Sequence, residues 1–269
     1  MSSNTGPNIF LRRLYSTNQI PKNIYIANPS IQSIKIAKRQ NKKIFGRLDG
    51  TSYYKLTGKN FIGILEQRKP WLVPFLYWLS FFPEAPKAFN TFFNRYLDRG
   101  ATWLLSNADA LIFQSELSMN MHKYFLNYEI DSIPSTIIFN GVSIDQFSPN
   151  VEKIDLKGSP KILISASEYR LHKRLQEAIK LINYMSIEYP DIKLHILGKP
   201  DKLTNRAIKR IDLSRCIFHG KLDPKELPSF YSSCDLQLSL SIFDPCPNVV
   251  CEGLASGLPV VTPYQSGAY

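Results

Sequence analysis

From residue 161 onward, short apolar runs and helical stretches alternate without a break, and this alternation limits the possible folds more than any other feature of the chain. Residues 161–167, 193–197, 217–219 and 236–240 read as strands; residues 173–188, 204–211 and 225–233 read as helices. Alternation of this kind specifies βα units on a parallel sheet. The first half repeats it, with strands predicted at 23–27, 43–46, 110–115 and 135–139 and helices at 8–15, 31–40, 88–105 and 118–128. Between the two blocks, residues 140–160 lose periodicity and carry turn and linker residues. The expected fold is therefore α/β, two Rossmann-like parallel-sheet domains facing a cleft. One covers residues 1–145, a linker covers 146–160, and the other covers 161–269.

The densest chemistry lies in residues 244–262, DPCPNVVCEGLASGLPVVT. Pro245 and Pro247 bar the preceding strand from continuing, because proline has no amide donor for a ladder. Helical spacing resumes at Asn248, and Gly257 and Pro259 stop it before the next apolar run. The unit is strand, loop with Asp244, helix with Glu252, strand. Open α/β sheets bind ligands at the carboxyl ends of their strands, and helix N-termini favour anions there. Free helix amides and two carboxylates are thus aimed at that edge, where Asp244 and Glu252 could accept hydroxyl hydrogen bonds from a sugar or ribose.

Upstream, residues 170–174 (RLHKR) fall between a strand end and a helix start. A lysine at a helix N-terminus is opposed by the helix dipole, so an anion beside Lys173 and Arg170 would relieve it; a solvated basic turn is the alternative. Gly198 ends a strand where close approach is permitted. Arg47 and Asp49 follow the strand at 43–46 and read as either polar substrate contacts or a capped turn. His195 and His219, inside apolar strands, read as core residues.

Charge separates the halves. The net charge is +11, and residues 1–150 carry 17 Lys and Arg against 9 Asp and Glu. A basic first half suits anionic lipid, a phosphorylated substrate or nucleic acid. The aromatic run at 71–83 contains prolines and is too short to span a bilayer, which takes about 20 apolar residues. It reads as an interfacial membrane contact, a core segment or a partner-binding patch. The four cysteines lack paired zinc spacing and are expected as reduced thiols of a cytosolic protein. Residues 1–7 have no apolar core of a signal peptide, and phosphate-loop, zincin and serine-hydrolase motifs are absent from the sequence.

Residues 139–149 (FNGVSIDQFSP) resemble the interdomain signature of glycosyltransferase family 4, the group 1 retaining transferases of GT-B fold. The basic segment from Arg170 to Lys173 resembles that family's diphosphate-binding segment. Asp244 and Glu252 fall on its paired-acid motif, with Asp where family members usually carry Glu, and residues 255–261 (ASGLPVV) follow as expected. Residues 6–14 look like a subgroup's glycine loop, and residues 47–50 like its acceptor-side segment. The resemblance implies transfer of a sugar from a nucleotide-sugar donor to a glycan or lipid-linked acceptor. It implies Asp244, Glu252 and Lys173 as catalytic, and Arg170, Asn248, Val249, Gly198 and Gly6 as donor-binding. Arg47 and Asp49 would lie on the acceptor side. No metal, no other cofactor and no nucleic-acid partner are expected; a cytoplasmic protein, peripheral on the inner face of the plasma membrane, fits the basic half. An inactive sugar-nucleotide-binding or partner protein and a GT-B sugar-nucleotide epimerase are the alternatives. Against the family pattern the chain reads as a fragment, without the strand expected before Gly6 and without the helices expected after Tyr269.

Overall fold

A computed structural model describes residues 20–49, 98–126, 128–242 and 244–269, apart from the side chains of residues 124 and 125. The predicted helix at 8–15, the aromatic run at 71–83, Gly6 and most of the predicted helix at 88–105 lie outside the described residues. The chain divides into two compact units, residues 1–140 and 141–269.

The first unit runs β1 (Ile24–Ala27), α1 (Ile31–Arg39), β2 (Lys43–Leu48), α2 (Arg99–Leu105), β3 (Ala110–Phe113), α3 (Glu116–Leu126) and β4 (Ser135–Ile137). Its four strands pair in parallel in chain order, β1-β2-β3-β4. Ile34 and Ala37 of α1 and Leu104 and Leu105 of α2 are buried with Ala27, Ile44, Leu48, Leu111 and Phe113. The sheet is thus shielded by helices, as parallel strands require.

In the second unit the chain forms β5 (Lys161–Tyr169), α4 (Leu175–Met185), β6 (Lys193–Pro200), α5 (Lys202–Ile208), β7 (Cys216–Gly220), α6 (Leu227–Ser233), β8 (Leu236–Leu238), α7 (Asn248–Ala255) and β9 (Val260–Val261). All its strands are parallel, in the order β7-β6-β5-β8-β9. Sequence order therefore runs outward from β5 in one direction and from β8 in the other. The reversal between β5 and β8 is a topological switch point, where the loops diverge and leave a crevice. Helix α4 buries Leu175, Ala178, Ile179 and Ile182, one stripe at helical spacing. Burying each of its Leu and Ile side chains contributes about 1.5–3 kcal/mol. Residues 146–160, expected as a linker, belong to the second unit: Phe147 is buried beside Leu163, Leu197, Tyr231 and Leu258.

Two elements start or stop away from their predicted places, for local reasons. Strand β2 continues to Leu48, because Arg47 pairs with Ile112 of β3; Arg47 is inside the strand rather than beyond it. The helix predicted from residue 173 begins at Leu175, preceded by a 3-10 turn at Leu171–Lys173 and by Arg174 in the left-handed region, φ 55°. Lys173 therefore sits in the turn that feeds the helix.

Candidate functional site

The switch point gathers the second unit's charged residues. The turn after β5 supplies Lys173 and the loop after β8 supplies Asp244; their Nζ and Oδ2 are 2.5 Å apart. Both side chains are largely shielded, at 23% and 16% exposure, so the attraction acts in a medium less polar than bulk water. A backbone bond ties the two loops together, Ile242 N–H donating to His172 O, and Gly267 N–H, after β9, donates to Asp244 O. Arg170 points elsewhere. Its Nε donates to Glu168 Oε2 at 2.9 Å, and both side chains are exposed.

Helix α7 opens four residues after Asp244. Pro247 is its N-cap, no side chain caps it, and its first turn holds no acid. The first-turn amides of a helix have no acceptor within the helix, so Asn248 and Val249 stand at an electropositive end. The far end is tightly closed: Leu258 N–H donates to Gly253 O and Gly257 N–H to Leu254 O, a Schellman arrangement. In the middle, buried Gln237 of β8 donates from Nε2 to Val249 O at 2.9 Å. That contact explains Gly253, since a Cβ there would lie 1.8 Å from Gln237 Oε1. Sheet and helix are thereby locked at a spacing that only glycine permits.

Glu252, one helical turn into α7, receives a hydrogen bond from Tyr231 Oη at 3.0 Å. Tyr231 is fully buried. Burial first, and then the neighbouring Glu252 carboxylate, push its hydroxyl well above the usual tyrosine range, so it remains a donor. Beside Glu252, Cys251 is lowered to about 7, chiefly by a hydrogen bond from Cys246. Gly198 has φ 105°, and a Cβ on it would come within 1.7 Å of Ala166 O. Gly198 thus marks a close β5–β6 backbone contact.

At the carboxyl edge of the first unit, Arg47 is buried, with Nη1 on Asp49 Oδ1 at 2.9 Å and Nη2 on Asn140 Oδ1 at 2.6 Å. Gln114 Nε2 also donates to Asp49 Oδ1, and Ser118 Oγ to the backbone oxygens of Leu48 and Asp49. Arg47 and Asp49, paired by the sequence reading, are thus joined by three residues it did not single out. Gln114 is the first polar residue after an apolar strand, and Asn140 closely follows another; that position was the available signal. Tyr231 gave none, being an aromatic at helical spacing. Among the described residues, no group of three His, Cys, Asp or Glu side chains could hold a metal ion. No described helix is long and apolar enough to cross a membrane.

Residues 147–268 match the family model for glycosyl transferases group 1. Over 180 residues the chain is 24% identical to the alpha-monoglucosyldiacylglycerol synthase of Streptococcus pneumoniae, covering 62% of this chain and 39% of that protein. Among solved structures it resembles the sucrose-phosphate synthase of Thermosynechococcus elongatus, with a TM-score of 0.59 and 15% identity over 97% of this chain and 61% of that one. Anabaena Alr3699/HepE in complex with UDP-glucose gives a TM-score of 0.60 at 13% identity, over 97% of this chain and 64% of that one. The chain thus spans about two fifths of the curated relative and under two thirds of these structures. The structural likeness establishes the fold, two parallel-sheet units of GT-B type.

Proposed function

We propose, from a second unit that is a group 1 glycosyltransferase domain, that this chain carries the donor-handling machinery of a glycosyltransferase. It would move a sugar from a nucleoside-diphosphate sugar to a glycan or lipid-linked acceptor with retention at the anomeric carbon. The observation that carries this reading is the position of Lys173 and Asp244, 2.5 Å apart at the β5–β8 switch point, with the uncapped N-terminus of α7 four residues beyond Asp244.

Breaking the bond between sugar and phosphate builds negative charge on the departing diphosphate and positive charge on the anomeric carbon. Lys173 and the first-turn amides of α7 offer fixed positive charge for the first, and such stabilisation is commonly the largest catalytic term. Asp244 would orient the sugar, and Glu252 would accept hydrogen bonds from the ribose hydroxyls. The acceptor's proton can leave on the departing phosphate, so the protein need supply no strong base. On the acceptor side, Arg47 and Asp49 would shape the edge of the first unit. Elsewhere on the same unit, Lys22, Lys35, Lys38, Arg39 and Lys43 are exposed, with no acid between residues 20 and 48, which suits a cytoplasmic protein that meets a lipid-linked acceptor at an anionic surface.

The test is a panel of UDP-, GDP- and ADP-sugars with nucleotide release as the readout. The expected result is turnover with one donor class and a loss of about 100- to 1,000-fold in Lys173→Ala, with a comparable loss in Glu252→Ala. Turnover within tenfold of the parent in both variants would overturn the assignment.

A further inference from the structure

Glu252 lies in α7, but what holds its carboxylate comes from elsewhere in the second unit. Tyr231, in α6, reaches it with Oη donating to Oε2 at 3.0 Å. The tyrosine ring is locked in place: fully buried, it meets Phe147 edge-on at 5.7 Å between centroids and packs with Leu163, Leu197 and Leu258. A phenol has one proton to donate, and Glu252 takes it, so the carboxylate of α7 is held from α6 by a side chain with no freedom to turn.

We propose that Tyr231 is a positioning residue for donor binding: held rigid by its packing, it sets the orientation in which Glu252 meets the ribose hydroxyls of the nucleotide. This rests on the reading of Glu252 given above. The physical reason is directional. An ionised carboxylate offers about four acceptor positions in its plane, and fixing one of them from a rigid phenol fixes the plane for the others. A hydrogen bond to a charged acceptor is about twice as strong as a neutral one, enough to hold one rotamer of a half-buried glutamate. Without it, Glu252 keeps its charge but loses its aim, and recognition of a vicinal diol depends on aim.

The experiment uses calorimetry on the full chain with UDP, GDP and ADP, followed by the 2′-deoxy counterpart of whichever binds tightest. The proteins are the parent, Glu252→Ala, Tyr231→Phe, Phe147→Leu and the Tyr231→Phe/Glu252→Ala double variant, each checked by thermal melting. Tyr231→Phe is expected to weaken the ribonucleotide about tenfold while leaving the deoxynucleotide nearly unchanged, so that the preference for ribose collapses. Phe147→Leu, which keeps the Tyr231 hydroxyl but loosens the ring that carries it, is expected to lower that preference about threefold and carries the test should Tyr231→Phe fail to fold. The double variant should bind no worse than Glu252→Ala alone. If no nucleotide binds the parent, or Glu252→Ala binds like the parent, the donor-site reading itself fails. If Glu252→Ala loses the ribose preference but Tyr231→Phe and Phe147→Leu keep it, the positioning role is overturned while the donor site stands. Equal weakening of ribo- and deoxynucleotide in Tyr231→Phe would likewise overturn it, because a merely structural tyrosine would act that way.

Discussion

The two units present opposite solutions at the carboxyl edges of similar sheets. In the first, a guanidinium is sunk into the protein and surrounded: Arg47 is buried, and Asp49 and Asn140 receive its donors while Gln114 shares Asp49. In the second, the lysine and carboxylates at the switch point stay partly exposed beside an uncapped helix end. A buried, hydrogen-bonded cation holds strands and loops in place, whereas one that keeps some exposure can exchange its partner for an incoming anion. The contrast is between a polar cluster closed on itself and one whose charges remain within reach of solvent.

The sharpest way to break this comparison is Arg47→Ala. It leaves Asp49 buried in part without its cation and should cost about 3–5 kcal/mol of stability, read by urea denaturation. Lys173→Ala, in the second unit, should change stability by about 1 kcal/mol or less, as expected for a partly exposed pair. Similar losses in both would erase the distinction.

Acid provides the next test. His122 of the first unit is lowered to about 4 by burial, partly offset by its bond to Ser118 O. His195 and His219 of the second unit are lowered too, burial again being the main cause. A histidine depressed in the folded state binds protons more readily when unfolded, so its contribution is complete above about pH 6.5 and is lost as pH falls toward the folded value. Between pH 6.5 and 5, His122 alone should remove about 2 kcal/mol. Melting temperatures measured across that range should fall, and His122→Leu should abolish most of the slope; an unchanged slope would refute the assignment.

Smaller than the effects of Arg47→Ala and of acid is that expected of Gly253→Ala. The added methyl must turn the Gln237 amide away from Val249 O, at a cost of about 1 kcal/mol. Pairing it with Gln237→Ala should recover part of that loss in the same denaturation assay, and failure to recover would place the strain elsewhere.

Alternation of apolar runs with helical stretches foretold the elements well, because burial on both faces of a parallel sheet leaves a periodic record in the sequence. Their ends were less legible. Arg47 looked like the residue beyond a strand because it is charged, yet pairing with β3 carries the strand past it. Lys173 looked like the start of a helix, but the left-handed Arg174 delays it. Lys173 and Asp244 were both visible as charged residues after strands, but their contact bridges 71 positions, and only the sheet order brings them together. Asn140 and Arg47 lie 93 positions apart, and Tyr231 resembles any core aromatic. Local pattern cannot encode such partners.

The Lys173–Asp244 pair also bears on the speed of encounter. Two opposite charges 2.5 Å apart look to a distant anion like a dipole, and a dipole's field fades faster than that of a lone lysine. Salt weakens what remains beyond about 10 Å. A diphosphate would therefore feel little pull from this point until it nearly touches it. Discrimination at the switch point would come from what happens on contact, when phosphate oxygens displace a carboxylate, and show in dissociation more than in arrival.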